Sequence, residues 1–141
     1  MSDNDTYYLR PRLIDILATM ETEGKSLHWC ISDLWVIDKI EGGEFAYELE
    51  NAVKNSEFGL MLHWDDLLKL TQMCDSIITC FLLGFKDEEI ARHYIRDGSS
   101  EEKFEIYIDI NDNLCMEVKA KDKKVVKKIN DSFGPPPFFV R

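Results

Sequence analysis

Apolar and polar positions along this chain change period several times, and each change marks an element. The clearest case lies between residues 63 and 85. Trp64, Leu67, Leu68, Thr71 and Cys74 recur at helical spacing and share one face. From Ile77 to Phe85 the residues are apolar on both faces, the pattern of a strand covered on both sides. A helix running straight into a doubly buried strand predicts the centre of a fold. His63 stands at the expected N-cap, with Asp65 as an alternative start, and the Asp65 and Asp66 carboxylates suit the positive end of the helix dipole.

Upstream, Pro11 fits a first helical turn, and Leu13, Ile14, Ile16, Leu17 and Met20 form a stripe that Gly24 can close, predicting a helix over Pro11–Glu23. Leu27–Ile40 is rich in strand formers, but Ser32-Asp33 interrupts them, which predicts one bulged strand or two short ones. Glu41-Gly42-Gly43-Glu44 reads as a turn. Phe45, Leu49, Ala52 and Val53 then predict a helix to about Asn55, with Glu44, Glu48 and Glu50 on or near its solvent side. A short strand is expected within Phe58–Leu62.

Downstream, Lys86–Gly98 fits one short helix, with Ile90 and Tyr94 on one side, or an excursion loop. Phe104, Ile106, Ile108 and Ile110 alternate with Glu105, Tyr107 and Asp109, and Leu114, Met116 and Val118 alternate with Cys115, Glu117 and Lys119. With Asn111-Asp112-Asn113 between them this predicts a hairpin with one apolar face. Asp122 caps a last helix whose Val125, Val126, Ile129 and Phe133 point inward. Gly134 ends it, and Pro135-Pro136-Pro137 stiffens a tail over 134–141 whose Phe138-Phe139-Val140 either docks on the body or meets a partner. The mixture predicts a single α+β domain over 1–141, an antiparallel or mixed sheet of about four to six strands packed with helices.

At 141 residues and 45 % hydrophobic content, the chain is long and apolar enough for one core. Its net charge of −10 resists phosphate backbones and favours basic partners, so neither nucleic acid nor a membrane is expected as a partner. The charge is uneven: residues 119–141 carry seven bases against two acids, so an acidic body bears a basic C-terminal segment. The acidic start has neither the positive nor the apolar region of a signal peptide, and no apolar run approaches a membrane span of about 20 residues. Cys30, Cys74, Cys80 and Cys115 form no C-x-x-C pair, and three of them lie in core-like runs. Reduced thiols in a cytoplasmic protein are expected.

Candidate chemistry is sparse. His28, His63 and His93 form neither H-E-x-x-H nor a zinc pattern with cysteine, and no phosphate loop appears, so no metal and no cofactor is expected. Asp109–Asn113 lacks the glycine and distal glutamate of a calcium loop. A small enzyme could assemble a site from Cys74 or Cys80 with His63 or His93, or from paired carboxylates, although apolar surroundings raise a thiol pKa. The tail could serve a generic interaction module. An aromatic anchor ringed by carboxylates suits a binder of a basic protein. Trp35, Glu41, Glu44, Glu48, Asp87, Glu88 and Glu89 are the expected contact residues.

One family resemblance adds to this. His63-Trp64-Asp65-Asp66-Leu67-Leu68-Lys69-Leu70 feeds an apolar strand ending in glycine, followed by a charged loop, a hairpin and a terminal helix from Lys121-Asp122 to Ile129. Over about 44–133 this resembles small bacterial proteins that occur as immunity proteins of polymorphic or contact-dependent toxin systems. The resemblance implies a cytoplasmic, non-enzymatic inhibitor that binds a cognate toxin domain. With the acidity, it makes a basic nuclease the expected partner.

Overall fold

The computed structural model describes residues 12–39, 44–111, 115–133 and 139–140. Its elements are α1 (Leu13–Thr19), α2 (Glu21–Gly24), β1 (His28–Lys39), α3 (Glu44–Lys54), β2 (Leu60–Leu62), α4 (Trp64–Gln72), β3 (Cys74–Phe85), α5 (Glu88–Asp97), β4 (Ile106–Asn111), β5 (Cys115–Ala120), α6 (Lys123–Phe133) and β6 (Phe139–Val140). The strands form one sheet in the order β2-β1-β3-β4-β5-β6, antiparallel throughout except for the two-residue β6, which runs parallel to β5. The chain is an α+β domain, as expected. The expected turns at Glu41–Gly43 and Asp112-Asn113 and the Pro135–Pro137 spacer lie outside the described residues.

α4 and β3 are the predicted central pair. α4 buries Trp64, Leu67, Leu70 and Thr71, and β3 starts at Cys74 rather than Ile77. Cys74 therefore belongs to the strand, and Leu70 takes the buried place expected of Leu68. His63 is the N-cap of α4 but makes no side-chain cap bond. The long helix expected over 11–23 breaks at Met20, whose backbone leaves helical geometry, and continues as the single turn α2. Thr19, one residue earlier, donates its hydroxyl to the Asp15 carbonyl at 2.9 Å, a back-bond that bends helices. In α3, Leu49 and Val53 are buried as expected, while Ala46 is buried in place of the exposed Ala52.

β1 is one strand with a bulge. Ile31 pairs with Leu82 and Asp33 with Phe81, so Ser32 is the extra residue. β2 covers β1 only at Trp29–Ile31. Farther along, the Glu50 carboxylate, expected near solvent, turns in and accepts the Val36 N–H at 2.8 Å. A side chain thus satisfies a backbone donor on a strand edge.

The two sheet faces are covered unequally. On one, α1, α3, α4 and α6 close over Trp29, Ile31, Leu34, Val36, Cys80, Leu82 and the inward residues of β4 and β5. On the other, among the described residues, the one helix that packs over Cys30, Leu83 and Phe85 is α5, through Ala91 and Tyr94. Asp87 caps α5 by accepting the Glu89 and Ile90 N–H groups at 2.8 and 3.4 Å, and Gly98 at φ 76° ends it.

Trp29 is fully buried where α2, α4, β1 and β3 meet. Its indole Nε1–H donates to the Gly24 carbonyl at 2.8 Å, and its ring centroid lies 6.1 Å from that of Trp64. A Cβ on Gly84 would come within 3.2 Å of the Trp29 ring, and one on Gly24 within 2.6 Å of Trp64. Trp29→Phe keeps the six-membered ring and removes the indole donor, leaving the Gly24 carbonyl with the Leu27 N–H at 3.1 Å alone. It should lower unfolding stability by about 1–3 kcal/mol, read as an earlier urea midpoint at unchanged slope. A midpoint matching the wild type would show that this bond does not hold the junction.

Candidate interaction surface

The bulge decides which side chains reach the thinly covered face. Up to Ile31, odd-numbered residues of β1 point into the main core; past Ser32, Leu34 and Val36 do so. Asp33, Trp35 and Ile37 consequently stand on the opposite face, beyond the end of α5, where the Tyr94 hydroxyl meets the Ser32 hydroxyl at 3.4 Å. Trp35 is 54 % exposed and Ile37 37 %. Trp29 and Trp64 are buried, so the sequence expectation of an accessible tryptophan is met by Trp35.

Asp33 pairs with Phe81, Phe81 with Asp109, and Asp109 with Glu117, so one line across four strands carries three carboxylates and an aromatic ring. Phe81 and Tyr107 lie with centroids 5.1 Å apart and ring planes nearly perpendicular. A shallow depression of about 480 Å³ opens here, lined by Ser32, Asp33, Thr79, Phe81, Tyr107 and Asp109 among others. The Lys119 ammonium sits 4.5 Å from the Tyr107 ring centroid and 4.0 Å from Glu117. Among the described residues no cation lies within ion-pair distance of Asp33 or Asp109, although the Lys119 charge draws the Asp109 carboxyl downward.

This crowding shows in the proton affinities. Burial raises the Asp109 carboxyl above its usual range, the Glu117 carboxylate adds to it, the Tyr107 hydroxyl at 3.5 Å opposes, and Asp33 pushes upward again. Burial, with Asp109 and Glu117 behind it, pushes the Tyr107 hydroxyl up to about 12. Asp109 thus sits where burial, more than its neighbours, disfavours its charged form.

The expected contact residues are divided by the fold. Glu44 and Glu48 are exposed on α3, beside the 51 % exposed Tyr47, in the helical layer over the main core. Asp87, Glu88 and Glu89 start α5 on the other side of the sheet, near His28 and at the far end of that helix from the bulge. Asp87 is occupied as a cap, and the Arg92 guanidinium bonds Glu88 and holds its carboxyl below the usual range. Glu41 lies outside the described residues. Trp35 alone of these residues borders the acid–aromatic line. Asp33, Phe81, Tyr107, Asp109 and Glu117 were missed. For Tyr107, Asp109 and Glu117 the only sequence signal was the polar half of the hairpin alternation, which reads as ordinary solvent exposure until strand order brings it beside Phe81 and Asp33.

The groups weighed for a Cys/His site are placed apart. Cys80 lies in the main core, and burial, with Asp33 and Asp109 adding, raises its thiol pKa strongly. Burial also pushes Cys30 up to about 12. Cys74 is half-buried, and none of these three cysteines forms a disulfide. His63 is exposed, and His93 lies on the exposed side of α5 with Arg96 2.7 Å from its Nδ1. Among the described residues no group of three or more His, Cys, Asp or Glu side chains is arranged to hold a metal, and no helix is long and apolar enough to cross a membrane. No protein-family model, curated protein or solved structure matches the chain.

Since the native state holds the Asp109 proton more tightly than the unfolded chain, stability at this position falls as pH rises through the native Asp109 pKa. Asp109→Asn should therefore melt higher than wild type at pH 7. The difference should shrink as pH falls through the native Asp109 pKa and level off below the unfolded aspartate value of about 3.9. Thermal melts by circular dichroism from pH 3 to 7 test this; a gain that grows on acidification would reverse the assignment.

Proposed function

We propose that this chain is a bacterial, cytoplasmic immunity protein that binds and neutralises one cognate toxin domain, a basic nuclease. The observation that carries the reading is the uncovered part of the sheet, where Asp33, Asp109 and Glu117 alternate with Phe81, Tyr107 and the exposed Trp35. Carboxylates in line can take the place of nucleic-acid phosphates on a basic protein and speed encounter, to about 10⁸–10⁹ M⁻¹s⁻¹ at low salt. Aromatic side chains supply the anchors that charge alone lacks. The family resemblance over 44–133 supports the same reading.

The test is affinity capture from producing cells at low and high salt, followed by a nuclease assay of the captured domain. A basic domain retained one to one and inhibited by the chain is the expected result. Asp33→Lys with Glu117→Lys should slow association at least about tenfold at low salt. Glu44→Lys with Glu48→Lys, on the other layer, should leave it within about twofold. If the second pair alone matters, the toxin meets α3 instead of the sheet. Capture of no protein with nuclease activity would remove the immunity reading.

A further inference from the structure

The open face says something about what it receives. α5 covers the end of the sheet near Phe85 and stops at Ser32, leaving Asp33, Trp35, Ile37, Phe81 and Asp109 without a covering element among the described residues. Chemistry differs along the line. At the Glu117 end the chain supplies its own cation, Lys119. At the other end Asp33 and Asp109 flank Phe81 from neighbouring strands with no cation between them. Neighbouring strands are about 4.8 Å apart, so the two aspartate backbones stand roughly 10 Å apart across the phenylalanine. A guanidinium is flat, stacks on an aromatic ring and presents donors along more than one edge, so it can address both carboxylates while lying on the ring; a lysine ammonium is a compact point charge that favours one.

We propose that this face seats an arginine-bearing segment of the partner protein, its guanidinium on Phe81 between Asp33 and Asp109 and its neighbouring apolar side chains on Trp35 and Ile37. The inference rests on the binding function proposed above and names the chemistry of its partner. The charge of the face selects a cation, the exposed aromatic and aliphatic side chains select a protein segment over a free ion, and the ring between two carboxylates selects arginine over lysine.

The test uses the full chain, labelled with ¹⁵N, and two probes: a blocked pentapeptide with one arginine among leucines, and the same peptide with lysine. The arginine peptide should give saturable amide shifts centred on Asp33, Phe81 and Asp109 and should change Trp35 emission. It should bind about three- to fivefold more tightly than the lysine peptide, the ratio expected of one exposed cation–π contact. Phe81→Leu, which keeps the packing and removes the ring, should bring the two peptides to the same affinity. Asp33→Asn, at an exposed position, should weaken the arginine peptide more than the lysine peptide. Equal affinities for the wild type, or shifts elsewhere on the surface, overturn the proposal. An arginine peptide bound here with no toxin captured would leave the subsite standing and remove the immunity reading. An inhibited toxin whose binding ignores Phe81→Leu and Asp33→Asn would do the reverse.

Discussion

The fold depends on the burial of Trp29. A tryptophan can be fully enclosed only if its N–H finds a partner and its ring finds neighbours small enough to approach. The Gly24 carbonyl supplies the first, and the missing side chains of Gly24 and Gly84 supply the second, letting α2, Trp64 and β3 close around one indole. This fixes the start of β1 against β3, the start of α4 and the end of the N-terminal helical pair together. The 12-residue strands β1 and β3 then extend from a pinned end, and the hairpin β4–β5 adds to the edge of β3.

From that junction the sheet becomes asymmetric. Among the described residues five helices, counting the single turn α2, share the Trp29 side and one lies on the other, so most apolar burial is on the first face. A 10-residue helix spans about 15 Å, less than half of what a 12-residue strand spans at about 3.3 Å per residue. α5 therefore leaves one end of the sheet bare. The Ser32 bulge lies where it stops, and the extra residue changes the phase of β1, sending Leu34 and Val36 to the core and Asp33 and Trp35 to the bare end. The exposed Trp35 thereby lies beside Asp33, on the same face as the half-buried Asp109.

Much of this was legible in the chain. The helix-to-strand passage at 63–85, the hairpin alternation, the helix after Asp122 and the interruption at Ser32-Asp33 all follow from local rules: periodicity, capping and the two-residue repeat of a strand. Whether Glu44, Glu48 and Asp87–Glu89 share a patch was not legible, because helix order along the chain says nothing about which face of a sheet each helix covers; the fold places them on opposite sides.

Sequence by itself determined the element types, the α+β class and the apolar positions that switch from odd to even across Ser32. Only the tertiary structure decided that the switch is a bulge within one strand, that Trp29 is interior while Trp35 is half-exposed, and that Asp33, Phe81, Asp109 and Glu117 stand in one line. These four residues come from four strands whose register is set by long-range pairing. No local pattern in a chain encodes which strand will lie beside which.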